Sequence, residues 1–313
     1  MNHKLKTGIK ISALTMTSLC IINHCINITA SMKDLLAKDC GKNFYWRHGN
    51  IFYTKTGTGS PILLLHDLSP ISSSYEWNGI VQKLSKTNTV YCVDLPGCGR
   101  SDKPYLTYTS YFYVQFLKDF SKEVIGTITD LMATGLSASF ALMACYENPD
   151  LFDKIYMINP ESISKLKHMP QKNSKITKTL MDLPIIGTTI YNIYMSRENI
   201  EYHFTEDFFF NPFHVTKKMM HIYYEAAHLN YSRGKYLLSS IHGFYLNVDV
   251  SRVLGNIKNK LFMIVGDKIK DYNQIIDDYC AINPQISTIT IKDTKLYPQL
   301  ELPEQFLKQV FSD

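Results

Sequence analysis

The chain has 313 residues, 45% of them hydrophobic, and a formal charge of +5. That is material for one large α/β domain, or two small ones, with an ample core. The charge is scattered, with no long Lys/Arg block, which argues against nucleic acid as a partner.

Residues 1–34 read as one unit. Lys4, Lys6 and Lys10 precede an uncharged stretch from Ile11 to Met32. As a helix it would be roughly 30 Å long, enough for a bilayer core. Ser12, Thr15, Asn23, His24 and Asn27 dilute its hydrophobicity. An uncleaved membrane anchor is the expectation. A cleaved signal peptide, for which Thr29-Ala30-Ser31 is a poor cleavage site, and a soluble helix docked on the domain are the alternatives. Lys33, Lys38, Lys42 and Arg47 follow as densely as lysines precede, so the side of the membrane stays open.

Residues 35–160 read as the first part of an α/β core. Phe44–Arg47 and Ile51–Thr54 are strands joined at Gly49-Asn50. Pro61–Leu65 is a continuous apolar run, as expected for a strand buried on both faces of a parallel sheet. Trp77–Leu84 has helical spacing, Thr89–Val93 is a strand, and Tyr111–Ile125 a helix. An apolar run, Asp130–Thr134, enters Gly135-Leu136-Ser137-Ala138-Ser139, and the helix-like run Phe140–Cys145 leaves it. Ile155–Asn159 is another strand. Residues 161–250 carry aromatic-rich helices without a clear strand, too long for a connection and therefore an inserted helical cap. Residues 251–313 return to the core, with strands at Leu261–Val265 and Ile286–Ile291 and a closing helix at Leu302–Phe311. Strands alternating with helices predict a mostly parallel sheet with right-handed crossovers. The seven cysteines (Cys20, Cys25, Cys40, Cys92, Cys98, Cys145 and Cys280) form no C-x-x-C pair and no zinc-spaced cluster, and neither a metal nor a cofactor is expected.

Four pieces, in order, make the chain resemble the α/β-hydrolase fold superfamily over roughly residues 44–311. They are His66-Asp67-Leu68 after a buried strand, Asp94-Leu95-Pro96-Gly97-Cys98-Gly99-Arg100-Ser101-Asp102-Lys103-Pro104, the strand–turn–helix around Ser137, and Leu296-Tyr297-Pro298-Gln299-Leu300-Glu301-Leu302-Pro303-Glu304. The resemblance implies Ser137 as nucleophile, with the Leu68 and Ala138 amides as oxyanion hole. It also implies a histidine base, but Leu296 stands at that place and no histidine follows His242. The base is therefore unassigned. Asp67 replaces the glycine usual beside the oxyanion hole, where a carboxylate would oppose developing negative charge. Ile269 takes one customary acid position, leaving Glu161, Asp267 or Asp271 as candidate acids. His66 reads as structural within the oxyanion loop. His168, His203, His214, His221, His228 and His242 belong to the cap or its exit.

The cap aromatics and methionines, among them Tyr191, Phe204, Phe209, Met219 and Tyr223, fit either a pocket for a small or lipophilic ligand or ordinary packing. Lys165, Lys167, Lys172, Lys175 and Lys178 fit either an anionic lipid surface or a solvated face. Two functional expectations follow. One is a serine-type hydrolase of small or lipophilic esters or acyl bonds, its catalysis impaired or unconventional because of Leu296. The other is a non-catalytic, membrane-tethered ligand-binding or scaffold pseudohydrolase. The sequence does not fix the oligomeric state.

Overall fold

The computed structural model describes residues 3–36 and 41–311, so Lys38 and Cys40 lie outside the described residues. Eight strands form one sheet: β1 Lys42–Trp46, β2 Gly49–Thr56, β3 Ser60–Leu65, β4 Asn88–Val93, β5 Thr129–Thr134, β6 Phe152–Ile158, β7 Lys260–Gly266 and β8 Ser287–Ile291. Their order across the sheet is β1-β2-β4-β3-β5-β6-β7-β8. β1 and β2 pair antiparallel, as do β2 and β4, and every other pairing is parallel. The central strands are apolar on both faces because helices cover both faces. Leu63, Leu65, Leu131, Ala133, Ile155 and Met157 pack into one layer, and Ile62, Leu64, Met132, Tyr156 and Ile158 into the other.

The helices used below are α1 His3–Ser31, α2 Ser110–Phe120, α3 Ser137–Glu147, α4 Lys172–Asp182, α5 Ile186–Tyr194, α6 Lys217–Ser232, α7 Lys235–His242, α8 Tyr272–Ile282 and α9 Pro303–Val310. The periodic run Trp77–Leu84 is a 3-10 turn, Ser74–Trp77, followed by one short helical turn, Val81–Leu84. Between β6 and β7 the described chain is helical. Tyr191, Phe204, Phe209, Met219 and Tyr223 from this segment pack with Tyr297, from beyond β8, into a separate buried cluster, with Leu296 against it. These aromatics are thus committed to one another.

α1 is the one described helix long and apolar enough to cross a membrane, by length and composition. Its second half lies on α5 and α6. The contact is polar. Asn23 Nδ2 donates to Thr189 Oγ1 at 3.0 Å, Asn192 Nδ2 to Asn23 Oδ1 at 2.9 Å, and Ser232 Oγ to Asn27 Oδ1 at 2.5 Å.

Candidate active site

β3, β5, β6 and β7 all run the same way, so the segments leaving their C-terminal ends gather at one edge of the sheet, where open α/β sheets place their sites. A cavity of about 180 Å³ opens there, lined by Asp67, Gly135, Asn159, Glu161, Tyr272 and Leu296, with Pro160, Ser162, Val265, Ile269 and Ile275 completing the wall. The position expected for the base (Leu296), one customary acid position (Ile269) and the turn after β5 therefore do converge.

The strand-to-helix turn sits two residues earlier than the serine-centred frame. β5 ends at Thr134, and Gly135 takes φ +57°, the sharp left-handed step. Leu136 is already helical, and Ser137 begins α3. Ser137 is wholly buried, and its Oγ donates to the His66 carbonyl at 2.6 Å. It is absent from the cavity wall, and its proton partner is a backbone carbonyl, which cannot act as a base. The Ala138 amide donates to the Gly135 carbonyl at 3.2 Å, inside the turn, so it does not point at a reacting atom. The Leu136 amide takes that direction instead.

What the Leu136 amide meets is Asp67. Asp67 Oδ1 accepts from the Leu136 amide at 3.1 Å and from the Leu68 amide at 2.8 Å. Two amides, one following the turn residue and one from the loop after β3, converging at these lengths are the geometry of an oxyanion hole. The Leu68 amide, expected as an oxyanion donor, is taken up by the Asp67 carboxylate. The carboxylate does not hover beside this cradle; it fills it. Gly135 makes the room, because a Cβ there would lie 2.3 Å from Asp67 Oδ1. Tyr297 Oη, 3.3 Å from Asp67 Oδ2, closes the other side. Burial, followed by the charge of Glu161, pushes Asp67 up to about 6, while the two amides hold it down.

A second buried carboxylate lies behind it and has no counterpart in the sequence reading. Glu76 Oε2 accepts from the Asp67 amide at 3.0 Å, and Oε1 from Gln299 Nε2 at 2.8 Å. Burial first, then Asp67, raises it to about 8. Asn159 is also a new member. With φ +44°, it donates to the Lys295 and Leu296 carbonyls at 2.9 and 2.8 Å and accepts from the Gly266 amide, so it ties the Leu296 loop to β7.

Among the described residues, no histidine borders the cavity. His66 is buried. Its Nδ1 lies 2.7 Å from the Asp67 carbonyl, and its Nε2 accepts from the Leu95 amide at 2.9 Å, so the ring is held neutral. Burial lowers it to about 4. His228 is likewise lowered to about 4 by burial, its Nδ1 2.8 Å from the Tyr224 carbonyl. Of the candidate acids only Glu161 reaches the cavity, and it pairs with Lys165 at 2.6 Å. Asp267 accepts from the Asp293 amide at 2.7 Å, and Asp271 is the exposed residue preceding α8.

No family model matches the chain. An uncharacterised protein of Mycobacterium tuberculosis (strain ATCC 25618 / H37Rv) is 29% identical over 109 residues, 35% of this chain and 31% of that protein. The match spans about a third of the curated relative. Among solved structures, an epoxide hydrolase superposes with a TM-score of 0.69 at 15% identity, covering 86% of this chain and 95% of the other. The structure of a membrane phospholipase A superposes with a TM-score of 0.68 at 15% identity and covers 98% of this chain and 96% of the other. The protein has the α/β-hydrolase fold. At these identities the likeness carries the architecture, and the chemistry rests on the residues in place.

Proposed function

We propose that this is a non-catalytic, membrane-tethered protein that uses the hydrolase fold as an interaction scaffold. The observation that carries the reading is the Asp67 carboxylate seated between the Leu68 and Leu136 amides against Gly135. In an acyl-transfer enzyme those two amides stabilise charge that appears only in the transition state. Here a side-chain carboxylate, ionised above about pH 6, satisfies them in the resting protein. An incoming carbonyl oxygen would find the donors taken and a negative charge in its way.

The rest of the constellation agrees. The residue at the sharp turn has no side chain, so nothing stands where a nucleophile would. Leu296 and Ile269 supply neither base nor acid to the cavity. Ser137 lacks an activating base, without which a serine hydroxyl is a weak nucleophile. The cavity itself is small: about 180 Å³ lies below the roughly 300–1,000 Å³ of ordinary small-molecule sites. A long acyl group does not fit, and the cap aromatics that would have held one pack together. The surface is therefore the working part, and α1 is the tether.

The test is turnover of activated aryl esters of short and medium chain length by folded protein. The expected rate equals that of buffer, with Ser137→Ala indistinguishable from the parent. Saturable hydrolysis abolished by Ser137→Ala would return the protein to the serine hydrolases.

A further inference from the structure

α1 is built inside out for a helix on a soluble domain. In its docked half α1 turns Asn23, Asn27 and Ala30 inward and Ile21, Ile22 and Ile28 outward, the last three beside the polar His24 and Thr29. At about 100° per residue the two sets lie on opposite sides of the helix. A soluble amphipathic helix has the reverse pattern.

The docked half also limits how α1 can meet a bilayer. Between Lys10 and Asn23, only Ile11–Ile22 stands clear of the polar seam. As a helix that piece is about 18 Å long, against a hydrocarbon core of about 30 Å. The uncharged segment enters lipid over its full length only if Asn23 and Asn27 enter as well. Away from α5 and α6, Asn23 loses Thr189 and Asn192 and Asn27 loses Ser232, and Asn27 keeps only its bond to the Asn23 carbonyl at 2.7 Å. If the whole uncharged segment enters lipid with this seam intact, α5 goes with it.

α5 is shaped accordingly. Thr189 and Asn192 face α1, and the adjoining stripe carries Ile186 and Ile193, the latter 66% exposed. The preceding helix α4 continues the apolar surface with exposed Ile176 and Leu180. Lys172 and Lys175, also exposed on α4, border it with charge that suits anionic headgroups.

We propose that the cap dips into the membrane beside α1, with Ile186 and Ile193 of α5 immersed in the same leaflet of an anionic bilayer. This rests on α1 entering lipid, the tether of the functional reading, and the experiment separates the two. Bimane is attached to the full chain at Ile193→Cys, Ile22→Cys or Tyr45→Cys, with Cys20, Cys25, Cys40 and Cys280 replaced by serine. The vesicles contain equal parts phosphatidylcholine and phosphatidylglycerol with brominated acyl chains. Tyr45, 81% exposed on β1 at the edge of the sheet, is the control. The proposal expects about twofold or greater quenching at Ile193 and Ile22, because interfacial elements sit 5–10 Å into the acyl boundary, and none at Tyr45. Quenching at Ile22 alone means that α1 inserts without the cap and overturns the proposal. Quenching at neither overturns the tether as well. A blue shift at Ile193 without vesicles, growing with protein concentration, means that a second copy covers the stripe, and also overturns it. I186E/I193E, both at exposed positions, is expected to keep its thermal midpoint while vesicle affinity falls about tenfold or more.

Discussion

Two glycine–aspartate pairs sit at the same edge of the sheet, and they differ in what answers the charge. In the loop after β4, a Cβ on Gly99 would lie 2.4 Å from Asp94 Oδ2; after β5, one on Gly135 would lie 2.3 Å from Asp67 Oδ1. Both glycines have positive φ; Asp94 is fully buried, whereas Asp67 keeps partial exposure at the cavity wall. Asp94 meets a guanidinium. Arg100 Nε lies 2.7 Å from Oδ2, and the Ser74 and Arg100 amides add bonds of 2.7 and 2.8 Å. Burial alone would raise Asp94, but Arg100 overcomes it and holds the carboxyl at about 2. Asp67 is bonded by amides, with only the weaker influence of Lys165 as a counter-charge, and it stays at about 6. The first pair is a closed, ion-paired knot in the loop after β4. The second is a carboxylate held by two amides at the wall of the cavity. The same sheet edge thus seats one aspartate on a cation and the other on backbone donors.

The largest effect should come from breaking the first pair. Asp94→Ala leaves Arg100 nearly buried without its carboxylate, a change that costs about 3–5 kcal/mol. Urea unfolding should show it as a large fall in midpoint; a fall of only a few tenths would mean that the ion pair is dispensable.

The second pair should behave as an exclusion. Gly135→Ser puts a Cβ into Asp67 Oδ1 and a side chain at φ +57°, which together cost about 1–3 kcal/mol. Asp67→Gly in the same chain should recover part of that loss, with a coupling of about 1 kcal/mol or more in a double-mutant cycle. Strict additivity would show that the two positions do not compete for space.

The pH dependence separates the pairs by sign. Glu76 and Asp67 have folded values near 8 and 6, above their ordinary 4.5 and 3.8. The folded state binds more protons than the unfolded one in that range. The stability these groups contribute is present below about pH 4 and lost as pH rises toward 8. Asp94, depressed from 3.8 to about 2, acts oppositely, and its contribution is lost as pH falls through 2. Stability should thus peak in mildly acidic buffer, and Glu76→Gln should flatten the alkaline limb. An alkaline limb unchanged by Glu76→Gln would remove Glu76 as its source.

The smallest effect is expected at Ser137. Ser137→Ala removes one buried hydrogen bond to the His66 carbonyl, about 0.5–1.5 kcal/mol.

Much of this was legible in the sequence. The apolar runs gave the central strands to within a few residues because a strand buried on both faces has no polar positions to blur it. The absence of a histidine near Leu296 was equally plain. The frame of the turn was not. Gly135-Leu136-Ser137-Ala138-Ser139 and Ala133-Thr134-Gly135-Leu136-Ser137 both read small-x-central-x-small, and the serine drew the reading toward the first. The deciding quantity is where β5 stops, and a left-handed residue directly after Thr134 favours glycine. Asp67 could be read as hostile to an oxyanion, but not as its occupant, because that requires Asp67 to meet the Leu136 amide across 69 residues of chain. Glu76 and Asn159 lay outside every motif, and their roles come from tertiary contacts alone.

The most direct test of an occupied, serine-free centre is fluorophosphonate labelling of folded protein, mapped by mass spectrometry against Ser137→Ala. The account predicts no adduct at Ser137 after prolonged exposure, in parent and in Leu296→His alike, since the serine faces a carbonyl in both. Rapid stoichiometric labelling at Ser137 would contradict it.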